Sequence, residues 1–271
     1  IGGPIPGEEG VPAEAGLIRR GAEWICDEGA AFDPVLDRVT LAGGRVIGYR
    51  ALVVCPGLKL DWEAIPGLAQ ALGADGVTSN YRYDLAPYTD RLVRRFRGGR
   101  ALFTQPPMSF KCAGAPQKAM YLSCHRWERA GLLEQADVQF HTATPSLFGV
   151  AAYVPALEGY IARYGIDLQL ESRLVAIDGA AKVALFEQRR GDAVRRVEER
   201  FDMIHVVPPQ VAPEFIASSP LAGPSGFVAV DEATLRHPVF ANVFALGDVA
   251  AATNAKTAAA AGKQAPGAPL N

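Results

Sequence analysis

No G-x-G-x-x-G occurs anywhere in the 271 residues, although glycine is plentiful at 28, so the usual pyrophosphate cradle of a dinucleotide site is not encoded. A Walker loop, a G-x-S-x-G elbow and an H-E-x-x-H pair are also missing. Their absence removes P-loop nucleotide hydrolysis, hydrolase-elbow acyl transfer and zincin chemistry. Cysteine is scarce: the four lie at 26, 55, 112 and 124 without C-x-x-C spacing, and four scattered histidines form no ligand pair. Neither a zinc site nor a disulfide framework follows, and the chain reads as one from a reducing compartment. Charge of one sign is lacking too, since Lys plus Arg at 27 against Asp plus Glu at 29 leaves a net charge of -2. No long-range field then draws the chain to phosphate, and a nucleic-acid partner is not expected. No apolar run reaches the ~18 residues of a membrane span, and no basic start with a short apolar stretch resembles a signal peptide. The expected location is the cytoplasm or the membrane periphery. The first residue is Ile1, not Met, which reads as an internal piece of a longer protein.

What is present fits an α/β protein. Hydrophobic residues make up 49% and charged residues 21%, at a length that allows burial of roughly 75% of the unfolded surface. The Gly- and Pro-rich residues 2–12 punctuate either helix or strand and are expected to be loop. Residues 46–54 (VIGYRALVV) read as a buried strand stopped by Cys55-Pro56-Gly57. Residues 58–99 are less regular, and the basic cluster at 91–99 reads as a solvated helix end. Strand 101–104, helix 116–130 closed by Gly131, strand 138–141 and helix 155–164 closed by Gly165 then alternate. Proline in the first turn and glycine past the last bound these helices, and the alternation implies parallel strands with right-handed crossovers.

Strands at 173–177, 183–187 and 195–201, separated by Asp178-Gly179 and Gly191-Asp192, form an expected antiparallel meander. Residues 203–207, 227–230 and 243–246 read as further buried strands. Ala-rich residues 250–261 read as a helix, and the tail after Gly262 as a frayed or foreign end.

Two short stretches carry chemistry. Strand 243–246 ends in Gly247-Asp248, where an open α/β sheet binds ligands: glycine admits a close backbone, and an aspartate accepts from a sugar or ribityl hydroxyl. Asp248 reads equally as an ordinary helix N-cap. Behind it, residues 253–257 read as a helix start whose positive end favours an anion, with Lys256 adding to it or lying solvated at the surface. Cys112 precedes a helix and follows Lys111, two features that favour its thiolate. Reactivity at Cys112 is preferred over a structural role on that ground. Cys124 shares a helical face with Met120 and Trp127 and reads as packing. On one continuous helix it would lie about 18 Å from Cys112, beyond the ~4.4–6.8 Å Cα reach of a disulfide. Cys55 reads as a core thiol and Cys26 as a surface one. The loop at 111–116 stands where a nicotinamide-binding domain would carry its glycines, which argues against NAD(P)H as reductant.

KCAGAPQKAMYLS at 111–123, MIHVVPP at 203–209, FVAVDEATLRH at 227–237, NVFALGD at 242–248 and KTAAA at 256–260 together resemble the sulfide:quinone oxidoreductase family, in its mitochondrial-like branch. The ordered match covers most of residues 1–265. The resemblance implies an FAD/NAD(P)-binding two-domain, glutathione-reductase-like flavoprotein fold of the pyridine nucleotide-disulfide oxidoreductases. Residues 1–62 and 211–271 would form a partial FAD domain, and 63–210 an inserted NAD(P)-binding-like domain carrying the meander. It further implies FAD as cofactor, sulfide and quinone as partners, Cys112 as the redox cysteine facing the flavin, Asp248 on the ribityl chain and Lys256 approaching the ring. In the family's mechanism sulfide opens a cysteine sulfur bridge, one cysteine keeps the sulfur, and quinone removes the electrons. Three departures stand out. The opening strand with its glycine fingerprint is missing, the second redox cysteine is replaced by Val249, and the C-terminal quinone and membrane-contacting region is absent. Weak or absent FAD binding is expected, with membrane contact only if that C-terminal region is supplied. A non-catalytic flavoprotein remnant or interaction module, and an NADH-dependent flavin reductase, are the alternative readings.

Overall fold

A computed structural model describes residue 16, residues 18–253 and residues 255–267. The expected opening loop and the last four residues of the tail lie outside them. Within the described residues the chain forms two compact units. One runs Leu60–Pro209, and the other combines the segment up to Lys59 with that from Gln210 onward.

The first outer segment opens with an antiparallel sheet of β1 (Gly29–Asp33), β2 (Arg38–Leu41) and β3 (Val46–Gly48). β4 (Leu52–Val54) follows, and then the two-residue β5 (Lys59–Leu60). The single strand expected over 46–54 is thus two strands in different sheets. The break falls at 49–51, where the Tyr49 N–H is claimed by the Asp37 carbonyl and the Arg50 carbonyl by the Asn242 amide. Those contacts turn the chain from one ladder to the next.

In the middle unit, α1 (Leu68–Ala71), β6 (Val77–Thr78) and α2 (Ala86–Arg95) supply the regular structure of the stretch at 58–99. β7 (Gly99–Gln105), α3 (Ala115–Arg129), β8 (Ala136–Thr142), α4 (Val154–Arg163) and β9 (Asp167–Gln169) follow. Then come β10 (Ser172–Asp178), β11 (Val183–Arg190), β12 (Ala193–Arg200) and β13 (Met203–His205). The central sheet runs β6-β13-β7-β8-β9, all parallel, and β10-β11-β12 is the antiparallel meander. β13 stops at His205, short of the expected 207, ahead of Pro208-Pro209.

The sheet is buried on both faces. Ala101, Phe103, Val138 and Phe140 pack with Met120, Cys124 and Trp127 of α3, while Leu102 and Ile204 pack with Leu68, Ile177 and Phe186. That alternation is the period-2 pattern of a strand covered by helices on one side and a second layer on the other. The meander is fastened at one end. Gly67 has φ +81, a Cβ there would fall 1.9 Å from the Ile177 carbonyl oxygen, and the Ile177 N–H donates to Pro66 at 2.9 Å. Its far hairpin turns at Gly191, with neighbours 189–194 exposed.

The returning outer segment carries β14 (Gln210–Val211), α5 (Glu214–Ala217), β15 (Val243–Ala245) and α6 (Ala258–Gln264). β15 pairs parallel with β4, above a core of Val54, Ile216, Leu221, Phe227, Val228 and Val249. Residues 227–230 are not the expected strand. Val228 instead forms isolated bridges to Ala222 and Ala250, so this stretch is a packed irregular segment. The helix expected over 250–261 starts only at Ala258, capped by the Thr257 hydroxyl, and runs past Gly262 to Gln264. Alanine propensity loses upstream, because Ala250 is already committed to Val228.

Candidate active site

Cys112 lies in the turn between β7 and α3. Phe110, 1% exposed, anchors that turn, and Pro116 opens the helix. Between them Cys112 has φ +50, a left-handed conformation costing a side-chain-bearing residue about 1–2 kcal/mol. Two bonds to its carbonyl hold it there. The Ala115 N–H donates at 2.7 Å, and the Tyr81 hydroxyl shares its proton between the Lys111 carbonyl at 2.9 Å and that of Cys112 at 3.2 Å. Burial, and then the neighbourhood of Cys112, push the Tyr81 phenol above its ordinary pKa, which keeps it a donor. The Cys112 residue itself is exposed.

Cys124, further along the same helix, is buried against Met120 and Trp127, and burial pushes its thiol up to about 12. The packing role read from the sequence is correct. Cys26 and Cys55 are exposed, so Cys55 is not the expected core thiol: the chain has left β4 by position 55, and Pro56 and Gly57 carry it into an open turn.

In the outer unit, β15 ends at Leu246 and the chain turns sharply at Gly247, with φ +72, into a single 3-10 turn at Gly247–Val249. The Gly247 N–H donates to the Gln264 side chain at 3.3 Å. Asp248 is half-buried, and its carboxylate accepts no hydrogen bond among the described residues. It is not the N-cap of α6, which is Thr257. Val249 is fully buried in the apolar core.

Lys256 differs from both of its expected roles. It lies ahead of α6 rather than in a helix, is only 6% exposed, and donates to the carbonyls of Asp248 at 2.7 Å and Ala250 at 2.8 Å. Its ammonium also sits 4.4 Å from the Phe227 ring centroid. Burial lowers its pKa, and Asp248 partly offsets that. The sequence could not reveal this inward turn, because the two carbonyls that attract the ammonium belong to a backbone conformation, not to residue types.

The structure therefore brings Gly247, Asp248 and Lys256 into one cluster, while Cys112 belongs to the other unit. Tyr81 is the site residue that sequence reasoning missed. It lies thirty residues before Lys111, and no local pattern marks it.

Searches against known proteins bear on the same segments. The mitochondrial sulfide:quinone oxidoreductase of Dictyostelium discoideum is 38% identical over 267 residues, 98% of this chain and 58% of the relative. That of mouse is 35% identical over 248 residues, 92% of this chain and 55% of the relative. Along nearly its whole length the chain is similar to these sulfide:quinone oxidoreductases. It spans somewhat over half the length of these curated relatives. No protein-family model matches it. Among solved structures, the sulfide:quinone oxidoreductase of Aquifex aeolicus superposes with a TM-score of 0.70 at 23% identity, covering 84% of this chain and 53% of that one. The fold is accordingly that of the FAD/NAD(P)-binding flavoproteins, and FAD is the family's cofactor.

The outer turn fits part of that cofactor. Gly247 presents no Cβ at the strand end, and the free carboxylate of Asp248 suits a ribityl hydroxyl. Lys256 does not extend the fit as its conformation stands, since its ammonium is already committed to two carbonyls.

Proposed function

We propose that this chain is a sulfide:quinone oxidoreductase-type flavoprotein in which Cys112 is the working thiol and the position of the second redox cysteine is filled by Val249. The reading is carried by one observation. Within the segment that matches the family, an exposed thiol stands at the start of a helix in a left-handed turn secured by Tyr81. FAD, when bound, would pass two electrons from sulfide to quinone, and Gly247 and Asp248 would hold its ribityl portion. Cys112 supplies a thiolate to that chemistry. Val249 supplies none, because a valine methyl can neither bond to sulfide sulfur nor resolve a persulfide.

The net reaction then needs an external thiol as sulfur acceptor. One hydrosulfide and one thiol RSH give the persulfide anion RSS⁻, and the two electrons and two protons released convert quinone to quinol. FAD binding by this 271-residue chain is weak, since the sequence carries no G-x-G-x-x-G cradle for the pyrophosphate.

The test is quinone reduction by the chain in excess FAD, with sulfide and with or without a small thiol. Slow, thiol-dependent turnover lost in Cys112→Ser is expected. Val249→Cys should raise the rate, and adding Cys112→Ser should remove that gain. A rate insensitive both to thiols and to Cys112→Ser would overturn the assignment of both positions. No turnover with FAD bound would favour the non-catalytic reading.

A further inference from the structure

Cys112 is held by a residue that is itself held. The Tyr81 hydroxyl closes the left-handed turn at Cys112, and the chain just before Tyr81 is fixed from a different strand: the Asn80 N–H donates to the Nε2 of His205 at 2.9 Å. His205 is the last residue of β13, between β6 and β7 in the parallel sheet, stacked 6.1 Å from Phe103 and with no exposed surface. Because Nε2 accepts, the ring proton sits on Nδ1, and that buried atom has no hydrogen-bond partner among the described residues. An aliphatic side chain would avoid the orphaned donor, but it would leave Asn80 without an acceptor. Burial holds the ring neutral by lowering its pKa to about 4, so the acceptor persists at ordinary pH. The Ser79 hydroxyl completes the brace by accepting from the Tyr81 N–H at 3.1 Å.

We propose that Tyr81 is a positioning residue for Cys112 and that His205 acts on it through the Asn80 backbone, so that a buried strand of the parallel sheet sets the direction of the thiol. The proposal rests on the assignment of Cys112 made above. Its chemistry requires only the existing hydrogen bonds: an O–H donating to two carbonyls, and an imidazole nitrogen accepting from an amide.

The experiment compares Tyr81→Phe, His205→Gln and His205→Leu in the full chain. Hydrogen exchange of the Ala115 amide reports on the turn, and kcat and quinone KM in excess FAD report on the reaction. Tyr81→Phe should speed Ala115 exchange at least tenfold and lower kcat at least fivefold, with quinone KM and the exchange of β7 and β8 amides unchanged. His205→Gln, whose amide oxygen can replace Nε2 as acceptor, should behave like the unsubstituted chain, whereas His205→Leu should reproduce Tyr81→Phe. Unchanged exchange in Tyr81→Phe overturns the clamp, and faster exchange with unchanged kcat overturns the positioning role. Equal behaviour of the Gln and Leu variants removes His205 from it. If Cys112→Ser leaves turnover intact, the assignment of Cys112 fails by itself, while Ala115 exchange still tests the clamp.

Discussion

Two strand-to-helix turns stand at the ends of parallel strands in this molecule, and they use their polar groups in opposite directions. After β7, the backbone is gripped from the side by Tyr81 and the thiol of Cys112 is left outside. After β15, the longest polar side chain folds back inside: Lys256 satisfies the carbonyls of the turn and Val249 fills the core below. One turn leaves its thiol exposed while borrowing hydrogen bonds from elsewhere. The other draws on its own lysine and leaves the Asp248 carboxylate without a hydrogen bond among the described residues. A charged residue beside a strand end is therefore a poor guide to ligand contact until its bonds to the local backbone are known.

The sharpest way to break this contrast is Lys256→Met. If the ammonium is structural, its loss strips two carbonyls of a charged donor and should destabilise the chain by about 2–4 kcal/mol, read as a lower denaturant midpoint. A change within ~0.5 kcal/mol would return Lys256 to the surface role considered from sequence.

Acid is the next lever. Burial depresses His141 to about 3 and His205 to about 4, both below the ordinary histidine value of 6.5. Below 6.5 the unfolded chain therefore binds protons that the folded chain refuses. Stability from these two groups is complete above that pH, and is lost as pH falls toward their folded values. Thermal unfolding should shift downward between pH 6.5 and 4.5, and His205→Gln should flatten part of that slope. An identical slope in His205→Gln would remove His205 as a contributor.

The thiols sharpen the comparison directly. Iodoacetamide mapping should show Cys112 labelled fastest, ahead of the exposed Cys26 and Cys55, with buried Cys124 last. Earlier reaction of Cys26 or Cys55 would deny the β7–α3 turn its special character.

The smallest effect is expected at Val249→Cys, a near volume-conserving change in the core that should cost under ~1.5 kcal/mol. A larger loss in urea unfolding would show that this position tolerates no thiol.

The legible parts of the chain were those whose signals are local. Pro116 with Gly131 and Pro155 with Gly165 bracket α3 and α4, and the turns at Gly179 and Gly191 separate the strands of the meander. What escaped depends on distant partners. The break between β3 and β4 needs Asp37 and Asn242, the late start of α6 needs Val228, and the inward lysine needs two carbonyls. At the site, Cys112 and the Gly247-Asp248 turn can be found in the sequence because they sit at strand ends. Tyr81 and His205 cannot, since their value lies in where the sheet places an oxygen and a nitrogen.

The meander fastened at Gly67 also makes the middle unit unequal in what it can carry. At Gly67 even a methyl group would collide with the Ile177 carbonyl, so that corner admits no chemical addition. At the opposite end, the tip of the Gly191-Asp192 hairpin is exposed, which makes it the place to graft a peptide tag or tether the protein to a surface. A cargo attached there would extend from a three-stranded arm.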